Sequence, residues 1–167
     1  MGNTAYRGKI VWFLITSRPD LLPVDLKRQG RAEEHLALFY PENKEEHDTL
    51  FRIMLKKTGI TTTAQSIAEV IDNPDGLSGA DIEAILARAL LNSDADSGGA
   101  TTDVSVATLR HAFADFIPAT SPLERELQIL VAVQECTSRE VLPESYRSME
   151  RGAVLARINE LRALLNS

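Results

Sequence analysis

The sequence predicts a mainly α protein that begins with two short strands. Three observations predict it. From Glu42 onward, apolar residues recur at spacings of three and four, as on helices with one buried face. Near the start, the apolar runs Ile10–Ile15 and His35–Tyr40 end in abrupt polar or proline stops, as short buried strands do. Hydrophobic residues make up 44% of the 167 residues and aromatic ones only 5%, so the core should be real but mostly aliphatic.

Taken in order, Met1–Lys9 is polar and reads as a frayed start. The first strand is expected at Ile10–Thr16, stopped by Thr16-Ser17-Arg18-Pro19-Asp20. Asp20 can cap a short helix over Leu21–Arg28, with Pro23 early enough to be tolerated and Gly30 closing the segment. The second strand, His35–Tyr40, is closed by Pro41. Glu42–Lys57 should be a helix burying Leu50, Ile53, Met54 and Leu55, ended by Gly59. A helix over Thr62–Ile71 stops at the Asn73-Pro74-Asp75-Gly76 turn. Ser78 then caps a strong helix with Ile82, Ile85, Leu86 and Leu90 on one face. Asn92–Asp103, rich in Ser, Gly, Asp and Thr, predicts a loop. Helices follow over Val104–Phe116, from Ser121 with Leu123, Leu127, Leu130 and Val131 inward, and over Ser145–Leu165 with Val154, Ile158, Leu161 and Leu165 inward.

Bulk properties narrow the partners. The net charge is −6 and no long Lys/Arg run occurs, which argues against nucleic acid. Cys136 is the single cysteine, so no internal disulfide or cysteine zinc cluster can form, which suits a reducing compartment. Ile10–Ile15 is too short to span a bilayer, and no signal-peptide pattern precedes it. The expectation is a soluble, cytoplasmic protein without membrane contact. His35, His47 and His111 lack metal-ligand spacing, Cys136 sits in an apolar stretch, and Arg151, Arg157 and Arg162 read as a solvated helix side.

Four short motifs stand in series. They are Ile15-Thr16-Ser17-Arg18-Pro19-Asp20, Lys27-Arg28-Gln29-Gly30-Arg31, Leu36–Pro41 and Leu77-Ser78-Gly79-Ala80-Asp81-Ile82. In this order and at these separations the chain resembles the AAA+ ATPases, specifically the classical AAA branch. There a strand ending Ala-Thr-Asn-Arg-Pro-Asp carries sensor 1. An arginine-finger segment, a strand, a proline and a helical lid with a Ser-Gly-Ala-Asp/Glu element follow. The resemblance covers Gly8 to Leu91 and can extend through Val104–Phe116; from Ser121 onward there is no family anchor. It implies a helical lid bundle at residues 42–120, a truncated α/β remnant of the large subdomain with two short strands at 1–41, and a helical extension at 121–167.

The resemblance also implies site residues. Ser17 stands at the sensor-1 position, where the family usually has an Asn that helps to place a water in line with a phosphate. A hydroxyl is shorter and has fewer hydrogen-bonding groups. On the residues alone, Thr16 and Ser17 serve equally well to end a strand and cap its turn. Arg31 matches the first arginine finger, a group that neutralises charge on a neighbour's γ-phosphate. Glu34 reverses the charge at the second finger position. Arg28 and Arg31 could also be turn arginines paired with Glu33 or Glu34. Gly79 and Ala80 match the lid backbone that lies against the nucleotide, where small residues permit close approach. Leu50 and Met54 occupy the positions where the family often has an Ile and a His near the base and ribose.

Phosphate binding in this family needs a Gly-rich loop ending Gly-Lys-Ser/Thr, and Mg²⁺ needs an acidic pair after an apolar strand. Neither occurs in these residues; Gly98-Gly99-Ala100-Thr101-Thr102 has no lysine. The motif order places both before Met1. The resemblance therefore implies the C-terminal portion of an AAA+ module whose complete form uses ATP and Mg²⁺ to remodel a macromolecular substrate, an unknown protein. The chain alone is expected neither to bind ATP tightly nor to hydrolyse it. The implied partners are the N-terminal AAA+ half or neighbouring subunits, in a homo-oligomer. The alternative is a non-catalytic helical interaction module derived from an AAA+ domain.

Overall fold

The computed structural model describes residues 9–27, 31–97 and 101–166, which fall into two units. One is Tyr40–Ala119; the other joins Met1–Phe39 to Thr120–Ser167.

In Tyr40–Ala119 the elements are α2 (Lys44–Thr58), α3 (Gly79–Ser97) and α4 (Val106–Asp115), numbered after a short α1 in the other unit. Asn43 caps α2 by accepting the Glu46 N–H. Gly59, at φ 73°, ends it: its N–H reaches the Lys56 carbonyl and the Ile60 N–H the Leu55 carbonyl, a Schellman-type stop. Ser78 and Asp81 cap α3 reciprocally, since the Asp81 carboxylate accepts from the Ser78 N–H at 2.8 Å while the Ser78 hydroxyl accepts the Asp81 N–H at 3.1 Å. Ser105 caps α4. The core is aliphatic around an edge-to-face pair, Phe51 and Phe113, with ring centres 6.3 Å apart. Ile82, Ile85, Leu86 and Ala89 of α3 and Leu109 and Ala112 of α4 close around it.

The second unit contains α1 (Val24–Lys27), α5 (Pro122–Glu135), α6 (Glu144–Arg147) and α7 (Arg151–Leu165). Ser121 and Glu124 form a capping box at the start of α5, with Pro122 in the first turn. Leu130, Val131 and Val133 meet Val154, Ile158 and Leu161, with Cys136 and Leu142 completing the core. Phe39 stacks on Tyr146, ring centres 5.5 Å apart. The 3₁₀ turn Pro19–Leu21 lies against α5.

The mainly α class is as the periodicity predicts, but the two strands do not form. Among the described residues the backbone pairing of sheet type is an isolated parallel bridge between Thr61 and Asp103. Ile10–Ile15 lies outside any helix or strand and is solvent-exposed, with Phe13 at 85% and Ile15 at 96%. A strand needs a neighbour for its N–H and C=O groups, and this run has none among the described residues of its unit. Residues 35–40 also lie outside any helix or strand, but with a two-residue alternation in burial: Leu36 and Leu38 face solvent, whereas Phe39 packs inward.

Other boundaries differ for local reasons. The expected helix Leu21–Arg28 is reduced to Pro19–Leu21 and α1, because Pro23 interrupts the pattern. Thr62–Ile71 holds only a 3₁₀ turn, Ile67–Glu69, in keeping with the low helix propensity of its threonines. α3 runs through Ser97, past the start of the expected loop at Asn92. The last helix is broken between Arg147 and Arg151. On α2, His47 and Phe51 are buried and Ile53 is 52% exposed, so the inward stripe is rotated from the expected one. Leu123 and Leu165 are likewise exposed rather than inward. Expectations for Met1–Gly8, Arg28–Gly30 and Gly98–Ala100 lie outside the described residues. Among the described residues no helix is long and apolar enough to cross a membrane.

Candidate functional site

Leu50, Met54 and Gly79 come together in Tyr40–Ala119. A Cβ placed on Gly79 would lie 3.3 Å from Met54 Cε and 3.5 Å from Leu50 Cδ1. The absent side chain therefore lets the start of α3 settle onto two side chains one turn apart on α2. Leu50 and Met54 are half-buried and packed at the edge of the core, Gly79 is half-buried, and Ala80 is exposed beside it. The result is an apolar shelf at the α2–α3 junction, where Leu50 and Met54 fill the space left by the absent Gly79 side chain and Ala80 lies exposed beside them.

The surroundings of the shelf are held by polar contacts. Lys57 of α2 and Glu83 of α3 pair at 2.6 Å on the surface. Asp48 accepts from the Ser66 hydroxyl at 2.7 Å and the Ile67 N–H at 3.0 Å, and the Ser66 hydrogen bond, above all, holds its carboxyl below the usual range. The buried His47 donates from Nδ1 to the Asn43 carbonyl at 2.8 Å. Its Nε2 is buried without a hydrogen bond, 3.7 Å from an Asp75 carboxylate oxygen.

Ser17 and Arg31 belong to the other unit. Ser17 sits exposed at a bend after the apolar run. Arg31 is exposed, and its Nη1 donates to the Asp25 carbonyl at 3.0 Å. Glu34 is exposed as well. Among the described residues no cluster of three or more His, Cys, Asp or Glu side chains is placed to hold a metal ion.

Part of the sequence is similar to a known protein. Over 80 residues it is 34% identical to a cell division cycle protein 48 homolog of Archaeoglobus fulgidus, a stretch covering 48% of this chain and 11% of that protein. No family model matches the chain. No solved structure matches it. The similarity supports a relation to the AAA+ proteins for part of the chain.

Two arginines, Arg18 and Arg157, prove to be structural. Arg18 forms a fork with Asp20, at 3.0 and 2.9 Å, and holds that carboxyl below the usual range. Arg157 makes two bonds to Glu126, at 2.7 and 2.9 Å, and one to Glu160 at 2.8 Å, tying α7 to α5 instead of lying on a purely solvated side. Its hydrogen bond holds the Glu126 carboxyl below the usual range. The pairing joins positions 31 residues apart, so no local pattern announces it. A shallow groove of about 450 Å³ lies between α5 and the α6 region, lined in part by Pro122, Ile129, Tyr146 and Met149, and Phe39 of the Leu36–Pro41 motif stacks on its Tyr146.

Proposed function

We propose that Tyr40–Ala119 serves as the helical lid of an AAA+ ATPase module. In this reading Leu50, Met54, Gly79 and Ala80 form the surface met by the base and ribose of ATP. The observation that carries it is the packing of Gly79 on Met54 and Leu50, since three positions singled out by motif resemblance converge on one shelf. The shelf suits the apolar end of a nucleotide. No Gly-rich loop ending Gly-Lys-Ser/Thr occurs in the sequence, so in this reading the phosphates and Mg²⁺ are held by another part of the module. ATP bound there would supply the phosphoryl group whose hydrolysis drives the complete module. This chain's own residues would pack against the base and carry the nucleotide state into the lid helices. Ser17 and Arg31 are assigned, in the same reading, to the sensor and finger of the large subdomain, in a homo-oligomer acting on a protein substrate.

A titration of the ¹³C-methyl-Met, ¹⁵N-labelled chain with millimolar ATP tests the lid assignment. Weak, saturable shifts confined to Leu50, Met54, Gly79 and Ala80 are expected, and Gly79→Ile should remove them by displacing Met54. Shifts absent from these residues, or unchanged in the variant, would sink the assignment. Hydrolysis above blank by this chain, lost on Arg31→Ala, would contradict the requirement for an outside phosphate-binding half.

A second reading, a non-catalytic helical interaction module, is favoured by Glu34 at the second finger position and by the open apolar run Ile10–Ile15. It expects no nucleotide shifts at all.

A further inference from the structure

Both ring nitrogens of His35 face acceptors. Nδ1 is 2.9 Å from the Glu135 carbonyl and Nε2 is 3.0 Å from the Ala32 carbonyl. A backbone carbonyl can only accept, so each contact needs an N–H on the ring. Neutral imidazole carries one N–H, and its bare nitrogen would then point a lone pair at a carbonyl lone pair. Only the cation satisfies both contacts. The Glu135 carbonyl belongs to the last turn of α5, where carbonyls lack intrahelical donors and the helix end favours positive charge.

The backbone around this ring is bonded to the same place. The His35 N–H donates to the Thr137 hydroxyl at 3.0 Å, the Thr137 N–H to the His35 carbonyl at 3.3 Å, and the Cys136 thiol to that carbonyl at 3.3 Å. These contacts join chain segments about 100 residues apart, all within one unit. The charged and titratable groups around them are Lys27 of α1, which pairs with the Glu135 carboxylate at 2.7 Å, the Cys136 thiol, and Glu33 and Glu34 on the histidine's own segment.

We propose that His35 is a proton-operated clamp: protonated, it fastens residues 32–35 to the C-terminal end of α5, and deprotonated, it releases them. The folded form binds the proton, so the clamp's stability falls as pH rises. The clamp stands independently of the AAA+ reading; if that reading holds, it also governs how firmly the Arg31 segment is presented.

Amide hydrogen exchange on the full chain tests it. After correction for intrinsic rates, protection of the His35 and Thr137 amides should fall by about tenfold or more as the pH is raised from about 5 to about 8. His35→Gln, whose amide does not titrate, should abolish the dependence. Glu135→Gln, which leaves the carbonyl in place, should keep it. Constant protection in the native chain overturns the clamp, as does a dependence that survives His35→Gln or vanishes with Glu135→Gln. Should His35→Gln fail to fold, the ring ¹⁵N shifts of the native chain decide instead. A doubly protonated ring while the amides are protected supports the clamp; a neutral ring at the pH of full protection overturns it.

Discussion

The two units solve the burial problem differently. Tyr40–Ala119 is one continuous stretch whose apolar stripes face one another, and Phe51, Ile82, Leu86 and Leu109 are wholly excluded from solvent. The other unit joins the two ends of the chain, buries a core on α5 and α7, and leaves six consecutive apolar side chains, Ile10–Ile15, in solvent. A helix satisfies its own backbone and needs only a facing stripe, whereas a strand needs an edge. Each helix stripe here finds its partner nearby; the strand-like run finds none among the described residues.

Core truncation should separate the units most sharply. Phe51→Ala removes one half of the aromatic pair and should destabilise Tyr40–Ala119 by about 3–5 kcal/mol, with Leu161→Ala costing the other unit about 2–5 kcal/mol. Chemical denaturation followed by residue-resolved NMR reads both. A loss below about 1 kcal/mol in either variant would show that the corresponding core is not packed as described.

Caps should give a smaller contrast. Ser121→Ala removes a capping box from α5, and Asn43→Ala removes the cap of α2; each should cost its own unit about 1 kcal/mol, measured the same way. Equal losses in both units from a single cap variant would mean that the units unfold together.

The smallest effect is acid dependence. Arg157 lowers the Glu126 carboxyl in one unit and Ser66 lowers Asp48 in the other. A carboxyl lowered in the folded state contributes stability above its unfolded range, near pH 4, and loses it as the pH falls through the folded value. Both pairs are at least partly exposed, so the effect is small and salt-sensitive. Glu126→Gln should flatten the acid limb of the unit that holds α5 and α7 only, and Asp48→Asn that of Tyr40–Ala119 only. Acid limbs unchanged by either variant would remove these carboxylates as the cause.

The helical stretches were legible where period and caps agreed. Ser121, Ser78 and Gly59 each mark a boundary that the structure bears out. The same is true of the inward faces of α3 and α7, apart from Leu165 at the frayed end. Residues 10–15 misled because a continuous apolar run states that it should be covered without stating by what. The rotated stripe of α2 escaped because the inward His47 is not apolar, so hydrophobic spacing pointed to Ile53. At the shelf, motif resemblance pointed to Leu50, Met54 and Gly79, but their contact rests on how α3 sits on α2. His35 read as an ordinary structural histidine, since its two carbonyl partners include one 100 residues away.

By itself, then, the sequence determined the mainly α class, most helix ends and most buried faces, because these follow from local backbone hydrogen bonding and residue period. Tertiary structure alone decided that Ile10–Ile15 finds no strand partner among the described residues, that Arg157 ties α7 to α5, that Gly79 rests on Met54, and that His35 is caught between two carbonyls. Each of those depends on groups far apart in the chain, whose meeting no local pattern encodes.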